Sequence, residues 1–344
     1  MDDLEYQHHI LQHVSRTFAL TIPQLPPELS PVVSNAYLLC RIADTIEDEA
    51  ALSAEEKRRF SEAFIGVLGG VTAPEAFAAE LHPLLTGSTL DPERELILNT
   101  PRVVRLAQGF SDRQRAALER CVRIMSRGMA EFQQNATLDG LDDLRHLDRY
   151  CYHVAGVVGE MLTELFCAYS SDIDKNRDTL LDLAVSFGQG LQMTNILKDV
   201  WEDRRRGACW LPRDVFRDAG FDVSGLEIST RDAAFSRGLE ELIGITKLHL
   251  ENALAYTLMM PREETGIRRF CLWALGMAVL TLRKIYSRLD YTAGQQVKIS
   301  RRSVKATMMV TNLTVSRDAP LRFLFETFTR QLPAANGRQK VLST

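Results

Sequence analysis

The chain has 344 residues, of which 41 are Lys or Arg and 45 are Asp or Glu, so its formal net charge is −4. Nucleic-acid binding needs a basic face that neutralises phosphates, and this balance therefore argues against nucleic acid as a partner. Hydrophobic residues make up 45% of the chain and charged residues 25%, which excludes an intrinsically disordered protein. The six cysteines form no CxxC pair, which favours a reducing compartment over a disulfide framework.

The sequence shows no targeting or membrane-spanning pattern. The first ten residues, MDDLEYQHHI, are polar and acidic and lack the basic and apolar regions of a signal peptide. The longest apolar run covers residues 271–282, which is shorter than the roughly 20 residues that cross a bilayer. We expect a cytoplasmic protein whose membrane contact, on the inner membrane, would be peripheral.

Apolar residues recur at spacings of three and four along most of the chain, without a hairpin signal or sustained alternation. This periodicity predicts an all-α fold. Helix ends are expected at the Pro and Gly positions, which are Pro23, Pro26, Pro27, Pro31, Gly69, Gly70, Pro101, Gly140, Pro212, Gly220 and Pro261. No linker or repeat divides the chain, so we predict a single domain over residues 1–344.

Two segments share an Asp-x-x-Glu-Asp pattern at the end of an apolar helical stretch. The first contains Asp44 and Asp48, and the second contains Asp199 and Asp203. Because positions i and i+4 lie on one face of a helix, each pair projects two carboxylates in the same direction. Each pair is therefore a candidate clamp for a divalent cation.

Polar residues continue along both helix faces, with Tyr37 and Arg41 before the first pair and Gln192 and Asn195 before the second. Their neighbours are apolar, which predicts a buried polar stripe and disfavours the alternative of a solvated acidic surface. Buried carboxylates are unfavourable unless they are paired or bind metal, and Mg²⁺ prefers carboxylate and phosphate oxygens. We expect two Mg²⁺ clamps, with Mn²⁺ as the alternative ion, facing each other across a helical bundle and holding a diphosphate.

These motifs resemble those of the squalene and phytoene synthases. Ser15-Arg16-Thr17-Phe18 is similar to the opening element of that family, and residues 150–159, YCYHVAGVVG, are similar to its central signature. Residues 44–48 and 192–203 resemble its two aspartate-rich motifs. The resemblance implies an isoprenoid synthase fold, a helical bundle around a central hydrophobic cavity. It also implies a catalytic core at about 15–305 and a C-terminal helical extension at 306–344.

The resemblance also implies roles for individual residues. Those expected in catalysis are Tyr37, Arg41, Asp44, Asp48, Tyr150, Asp199 and Asp203. Those expected to bind the substrate are Ser15, Arg16, Phe18, Val154, Gly156, Val158, Gly159, Gln192, Asn195 and Tyr286. Those expected to hold metal are Asp44, Glu47, Asp48, Asn195, Asp199 and Asp203.

Each role has a plainer alternative. Arg16 and Arg41 would contact a diphosphate, or else pair with neighbouring acids. Tyr37 and Tyr150 would donate to the leaving group or stabilise a carbocation, or else be ordinary core tyrosines. Glycines in residues 150–159 cost a helix roughly 1 kcal/mol each, so a prenyl chain, a helix kink or close helix packing must need the space.

Residues 297–302 resemble a basic loop that, in squalene synthases, is associated with the NADPH-dependent reductive step. Lys298, Arg301 and Arg302 are therefore expected to bind NADPH, since no Rossmann glycine fingerprint is present. A solvated basic loop is the alternative.

The activity implied is that of a Mg²⁺-dependent squalene synthase, a monomer or homodimer. It would join two molecules of farnesyl diphosphate through presqualene diphosphate, with reduction by NADPH. Residues 45–49 and 297–302 favour this activity, whereas residues 203–207 and 210–212 look closer to phytoene synthases. Dehydrosqualene or phytoene synthesis without reduction is therefore the alternative. A non-catalytic scaffold would be expected to lose aspartates, and all four are present.

Overall fold

The computed structural model describes residues 1–15, 17–227 and 232–335. This part of the chain is built from helices, and it contains an isolated β-bridge between Leu141 and Pro212 but no β-strand. The predicted all-α fold is therefore confirmed.

The α-helices are α1 (Asp3–Val14), α2 (Phe18–Thr21), α3 (Ser30–Asp48), α4 (Ala54–Leu68), α5 (Pro74–Leu81), α6 (Asp91–Leu98), α7 (Thr100–Gln108), α8 (Asp112–Gln134), α9 (Leu144–Cys151), α10 (Val157–Tyr169), α11 (Ser171–Asp174), α12 (Arg177–Arg205), α13 (Arg213–Asp218), α14 (Ala233–Met259), α15 (Thr265–Tyr286), α16 (Arg301–Thr314) and α17 (Asp318–Thr329). A π-helical turn, Tyr152–Gly156, joins α9 to α10. Short 3-10 turns lie at Ile22–Gln24, His82–Leu84, Val223–Gly225 and Gly294–Val297.

Helices α4 and α8 begin at reciprocal caps that the sequence encodes. Ser53 accepts a hydrogen bond from the backbone N–H of Glu56, whose carboxylate accepts from the N–H of Ser53. Ser111 and Gln114 form the same pair at the start of α8. Such capping boxes satisfy N–H groups that have no partner inside the helix.

The structure contains two compact units. The first comprises Met1–Asn135 and Val157–Arg177. Within it, α8 packs against α3, α4 and α10. Helices α1, α3 and α7 are joined by buried polar contacts, because Asn35 donates to Gln7 Oε1 at 3.0 Å and to the carbonyl of Val103 at 2.9 Å. Gln7 in turn donates to the carbonyl of Pro31 at 2.8 Å.

The second unit comprises Ala136–Gly156 and the residues from Asp178 onward. Here α14 packs against α13 and α15, and α15 also contacts α16 and α17. A Cβ built on Gly188 of α12 would lie 2.3 Å from the carbonyl oxygen of Ala155, which belongs to the π-helical turn. A glycine is therefore needed at this position for the backbone of that turn to approach α12.

Helix α15 is the one helix in the described residues that is long and apolar enough to cross a membrane, with a mean hydropathy of 1.3. It is longer than the apolar run at 271–282, which was expected to be too short to span a bilayer. Within the protein 61% of its apolar window is buried, and it packs against α14. The core helix of a folded domain shows this same pattern.

The single domain over 1–344 and the central hydrophobic cavity would each involve both units. Both stay predictions. Of the expected C-terminal extension, residues 306–335 contain the rest of α16 and all of α17. Residues 336–344 lie outside the described part of the chain.

The approach of Gly188 to the π-helical turn gives a stability prediction. Gly188→Ala should lower the free energy of unfolding by about 1–3 kcal/mol, because a methyl group there overlaps backbone atoms that cannot rotate away. Helix propensity alone favours alanine by about 1 kcal/mol, so the two effects have opposite signs. Urea and thermal unfolding followed by circular dichroism would measure the difference.

The control is Gly225→Ala, where an added Cβ would meet no atom within 4 Å. This variant should unfold like the wild type. Equal stability of Gly188→Ala and wild type would show that the turn moves freely away from α12.

Candidate active site

Helix α3 carries the first predicted motif near its C-terminal end. Leu38, Leu39 and Ile42 are completely buried. The face of α3 that carries them packs into the core, and this fixes the orientation of the polar face. Asp44 and Glu47 are half-buried, and Asp48 is exposed. The polar stripe that was expected to be buried is therefore a half-exposed face, because the apolar residues between its members occupy the core.

Arg41 joins the polar groups of this face. Its guanidinium donates to the hydroxyl of Tyr37 at 3.2 Å and lies 3.7 Å from the carboxylate of Asp44. It also lies 3.6 Å from Glu93 of α6, a residue that the sequence analysis did not select. The Tyr37 hydroxyl donates to the carbonyl of Val14 at 3.0 Å. Arg41 thus pairs with neighbouring acids and Tyr37 has a satisfied hydroxyl, as the alternatives to substrate binding predicted. Both side chains lie beside the aspartate motif.

Burial and like charges raise the pKa values of two carboxyls in this motif. Burial is the main reason that the pKa of Asp44 rises to about 6, with Arg41 opposing the shift and Asp48 and Glu93 adding to it. The pKa of Glu47 rises to about 8, chiefly through burial, although Gln133 donates to its carboxylate at 2.7 Å. Ionisation of these two carboxyls is therefore less favourable than in water, and a nearby positive charge would offset that cost.

Glu49, directly after α3, has the opposite environment. Its buried carboxylate accepts hydrogen bonds from the backbone N–H groups of Ala51 and Thr86 at 2.9 and 2.8 Å. The hydroxyls of Thr86, Ser88 and Thr89 also donate to it, at 2.7 to 3.0 Å. Burial alone would raise the pKa of Glu49, but these bonds outweigh it and lower the pKa to about 2. Glu49 therefore anchors the end of α3 to residues 86–89.

The opening element lies beside Tyr37. The hydroxyl of Ser15 accepts a hydrogen bond from the backbone N–H of Phe18 at 2.9 Å. The ring of Phe18 lies 5.1 Å from that of Tyr37. Arg16, which was predicted to contact substrate, lies outside the described residues.

Helix α12 carries the second motif. Ile196, Leu197, Val200 and Trp201 are buried on one side, while Gln192, Asp199 and Asp203 are half-buried and Asn195 is exposed. Lys198 lies 3.1 Å from the carboxylate of Asp199 and donates to Asn195 at 3.3 Å. Burial raises the pKa of Asp199, and Lys198 opposes the shift.

Residues 291–294 hold α12 from a distant part of the chain. Trp201 donates its indole N–H to the carbonyl of Tyr291 at 2.7 Å, and the hydroxyl of Tyr291 donates to the carbonyl of Leu197. The backbone N–H of Gly294 donates to Glu202 at 3.0 Å. A Cβ on Gly294 would lie 3.0 Å from Asp199 Oδ1. Because Gly294 has no side chain, the backbone of this loop can approach the second motif. No sequence pattern indicated this contact.

The central signature contains the π-helical turn. Tyr150 is buried and stacks on Trp210, with ring centroids 4.2 Å apart and planes 9° apart. A Cβ on Gly156 would lie 3.0 Å from the Tyr152 ring and 3.4 Å from Val185. The nearer atom belongs to the same turn and Val185 lies at an ordinary contact distance, so the alternatives for this glycine stay open. The other predicted residues here, Val154, Val158 and Gly159, are half-buried.

A buried polar cluster near α9 was missed by the sequence analysis. His249 of α14 is 1% exposed, and its Nδ1 lies 2.8 Å from the hydroxyl of Ser186, to which Asn252 donates at 2.9 Å. The other ring nitrogen lies 4.0 Å from the carboxylate of Asp148. Burial lowers the pKa of His249 to about 4 and raises that of Asp148 to about 7. An isolated His and Asp, 101 positions apart in the sequence, gave no motif that could identify the cluster.

The prediction of a basic loop at 297–302 is partly wrong. Arg301 and Arg302 are exposed in the first turn of α16, and Lys298 is exposed just after the turn at Gly294–Val297. Ser300 caps the helix, since its hydroxyl accepts from the backbone N–H of Ser303 at 3.1 Å. Tyr286 is the half-buried last residue of α15.

A pocket in the second unit, with a volume of about 570 Å³, contains none of the predicted site residues. It is lined by Asp142, Arg213, Arg217, Gly220, Phe221, Asp222 and Val223. Its charged lining does not suit a prenyl chain.

Within the described residues, no group of three or more His, Cys, Asp or Glu side chains lies close enough to hold a metal ion by itself. The donor chemistry still fits Mg²⁺, which retains waters and is commonly held by one or two carboxylates together with substrate phosphates. The crowding of Asp44, Glu47 and Asp48 supports this fit, because a cation would favour the ionised carboxylates that burial disfavours. The assignment of these residues and of Asn195, Asp199 and Asp203 as ligands stays a prediction.

Comparison with known proteins identifies the family. The profile of the squalene/phytoene synthase family matches residues 11–303. The chain belongs to this family. The resemblance stated from the motifs is therefore confirmed, and the match includes both aspartate motifs, the central signature and the opening element.

Individual members of the squalene/phytoene synthase family are similar over most of the chain. Squalene synthase BSS of Botryococcus braunii is 28% identical over 318 residues, covering 90% of this chain and 65% of that protein. Squalene synthase 1 of Arabidopsis thaliana is 28% identical over 299 residues, covering 86% of this chain and 68% of that protein. The chain thus spans slightly less than two thirds of the length of the Botryococcus protein.

Solved structures share the fold of this family member. A structure of TcSQS with the ligand E5700 has a TM-score of 0.73 at 22% identity, covering 99% of this chain and 95% of that one. A dehydrosqualene synthase has a TM-score of 0.68 at 18% identity, covering 91% and 96%. The predicted isoprenoid synthase fold is confirmed.

The environment of Glu49 predicts how stability depends on pH. Its folded-state pKa of about 2 lies below the ordinary value of 4.5, so the ionised carboxylate stabilises the fold fully above about pH 4.5. That stability is lost as the pH falls through about 2. Glu49→Gln should therefore lower the free energy of unfolding at pH 7 by about 1–3 kcal/mol, and should flatten the acid dependence measured by urea unfolding between these two pH values.

Glu28→Gln, at an exposed position, serves as the control and should keep both the stability and the pH profile of the wild type. An unchanged profile in Glu49→Gln would mean that the hydrogen bonds at residues 86–89 do not stabilise the carboxylate.

Proposed function

We propose that this chain is a squalene synthase, which condenses two molecules of farnesyl diphosphate through presqualene diphosphate and reduces the product with NADPH. The observation that carries the proposal is that both aspartate motifs are intact on helices held by buried side chains, in a member of the squalene/phytoene synthase family. The similar proteins quoted above are named squalene synthases. Dehydrosqualene or phytoene synthesis without reduction is the alternative, since a structural relative is a dehydrosqualene synthase.

Each motif would contribute to binding a diphosphate. On α3, Asp44 and Asp48 would hold a cation, and Arg41 would place a guanidinium beside the phosphate oxygens. On α12, Asp199 and Asp203 would hold a cation, with Lys198 as a neighbouring positive charge. Mg²⁺, or Mn²⁺ in its place, would act as a Lewis acid that neutralises the charge of the departing diphosphate.

The reaction passes through allylic cations, so the protein must orient the substrates and exclude water. The Tyr37 hydroxyl, next to Arg41, would orient that guanidinium and would donate to the leaving group after giving up its hydrogen bond to the carbonyl of Val14. The aromatic ring of Phe18 beside Tyr37 offers a π face that stabilises a nearby cation. Tyr150 would offer a second such face, although its stacking on Trp210 occupies one side of the ring.

The reductive step is assigned to Lys298, Arg301 and Arg302. The two arginines lie in the first turn of α16, where backbone N–H groups and the helix dipole favour an anion. The phosphates of NADPH would bind there, and Lys298 precedes the helix by three positions.

We further propose that the protein is cytoplasmic, works as a monomer or homodimer, and contacts the inner membrane peripherally. The apolar product and the amphiphilic substrate both favour contact with lipid, and the buried packing of α15 is consistent with a peripheral protein.

The decisive experiment is incubation of the purified chain with farnesyl diphosphate and Mg²⁺, with and without NADPH, followed by mass analysis of the products. Presqualene diphosphate without NADPH and squalene with it are expected. Dehydrosqualene in both reactions, or phytoene when geranylgeranyl diphosphate replaces farnesyl diphosphate, would support the alternative. Absence of Mg²⁺-dependent diphosphate release would indicate a scaffold.

Asp44→Asn and Asp199→Asn should each lower kcat by about a hundredfold or more, because each removes a charged ligand of the cation. Thermal unfolding should change little, since removing one charge from a crowded face relieves repulsion. Steady-state assays over a Mg²⁺ titration would separate weaker metal binding from misfolding.

Asp172→Asn is the matched control, because that exposed carboxylate pairs only locally, with Lys175. Wild-type turnover in either motif variant would refute the metal assignment, as would an equal loss in the control.

Arg301→Ala/Arg302→Ala should leave formation of presqualene diphosphate unchanged. It should raise the NADPH concentration required for half-maximal squalene formation by roughly tenfold or more, since a charge-assisted contact is worth about 1.5–3 kcal/mol. Product ratios measured over an NADPH titration test this, with Arg123→Ala on the exposed face of α8 as the control. Loss of condensation in the double variant would assign these arginines to the diphosphate instead.

A further inference from the structure

Helix α16 is attached to the protein by one face. Of its 14 residues, Thr311 is the buried one. Thr307 packs closely on α15, because a Cβ on Gly276 would lie 2.5 Å from its methyl group. The hydroxyls of Thr307 and Thr311 donate to carbonyls one turn earlier, at 3.0 and 2.8 Å. The inner face thus consists of these threonines and half-buried neighbours, and the outward face consists of the exposed residues 301, 302, 305, 306, 309, 310, 312 and 313.

The outward face combines basic and large apolar side chains. Met309 is 67% exposed and Leu313 is 71% exposed. Arg302 and Lys305 are exposed on the same face, seven and four positions before Met309. On α17, which contacts α16, Arg322 is exposed and Phe323 is 68% exposed. Exposed apolar side chains beside basic ones, on two helices in contact, are typical of an interaction surface.

The charge of this region differs from that of the whole chain. Residues 298–330 contain seven Lys or Arg and two acidic residues, whereas the whole chain contains 41 and 45. One of the two acids, Asp318, is already engaged, because Arg262 and Arg268 donate to it at 2.7 and 2.8 Å. The C-terminal helices are therefore a basic surface on an acidic protein.

We propose that the outward face of α16, together with Phe323, docks on an anionic lipid bilayer. Met309, Leu313 and Phe323 would enter the headgroup boundary while Lys305 and Arg322 contact anionic headgroups, as in other amphipathic helices that lie in the interface. The peripheral membrane contact proposed above is thereby assigned to one surface and to anionic lipid. The assignment rests on the proposed function only through that membrane contact.

A second copy of the chain is a less suitable occupant. A two-fold symmetric interface brings the same surface of both copies together, so the basic side chains of this face would approach those of the other copy. Like charges opposed in this way cost binding free energy, whereas an anionic bilayer complements them.

The test is co-sedimentation of the purified full chain with vesicles, without substrate. One set of vesicles is phosphatidylcholine alone, and the other is phosphatidylcholine and phosphatidylglycerol in equal parts. The wild type should bind the anionic vesicles much more tightly, and added salt should weaken binding. Met309→Ser/Leu313→Ser should weaken it by about tenfold or more. Lys305→Gln/Arg322→Gln should weaken it by about thirtyfold, because two charges at roughly 1 kcal/mol each amount to about 2 kcal/mol.

The matched control is Val71→Ser/Leu98→Ser, which removes apolar side chains that are 87% and 53% exposed elsewhere. This control should bind like the wild type, and circular dichroism should show that every variant is folded. No binding by the wild type, equal binding to both vesicle types, or an equal loss in the control would overturn the proposal. So would a concentration-dependent dimer, seen by analytical ultracentrifugation, that Met309→Ser/Leu313→Ser abolishes while vesicle binding persists. Because the assay contains no farnesyl diphosphate, failure of docking is separate from failure of catalysis.

Discussion

The last turn of α3 concentrates negative charge where a helix least tolerates it. Asp44, Glu47 and Asp48 lie at the C-terminal end, which has no basic residue in its last turn, and the helix dipole there disfavours carboxylates. Compensation comes from outside that turn. Arg41 approaches Asp44, Gln133 donates to Glu47, and Lys57 donates to the carbonyl of Glu47. Single side chains of α3, α4 and α8 thus hold these acids in place.

At the C-terminal end of α12, negative charge is balanced by a different arrangement of side chains. Its last turn contains Arg204 and Arg205, which complement the dipole directly. Tyr291 and Gly294 then fix the helix through hydrogen bonds to Leu197 and Glu202. The two similar motifs therefore have unlike surroundings, with the first held against unfavourable electrostatics and the second supported by adjacent positive charge.

This difference has a consequence for function. A site that binds a cation and a diphosphate must keep its carboxylates available in the absence of both. At α3, burial raises the pKa values of Asp44 and Glu47, so ionisation costs more free energy there than in water, and a bound cation would offset that cost. Glu49, a few residues away, carries no such free-energy cost of ionisation, because five donor groups surround its carboxylate. Adjacent acids in one segment thus divide into an anchor and a candidate ligand set.

The sequence by itself determined the all-α fold, the pairing of aspartates on two helix faces and the family, because helical periodicity and i,i+4 spacing are local properties. Only the tertiary structure decided how those faces are exposed and which groups meet them. Glu93 at Arg41, Gln133 at Glu47 and Gly294 at Glu202 are contacts between residues distant in sequence. Burial, hydrogen bonding and the pKa shifts they cause depend on such contacts, and no local pattern encodes them.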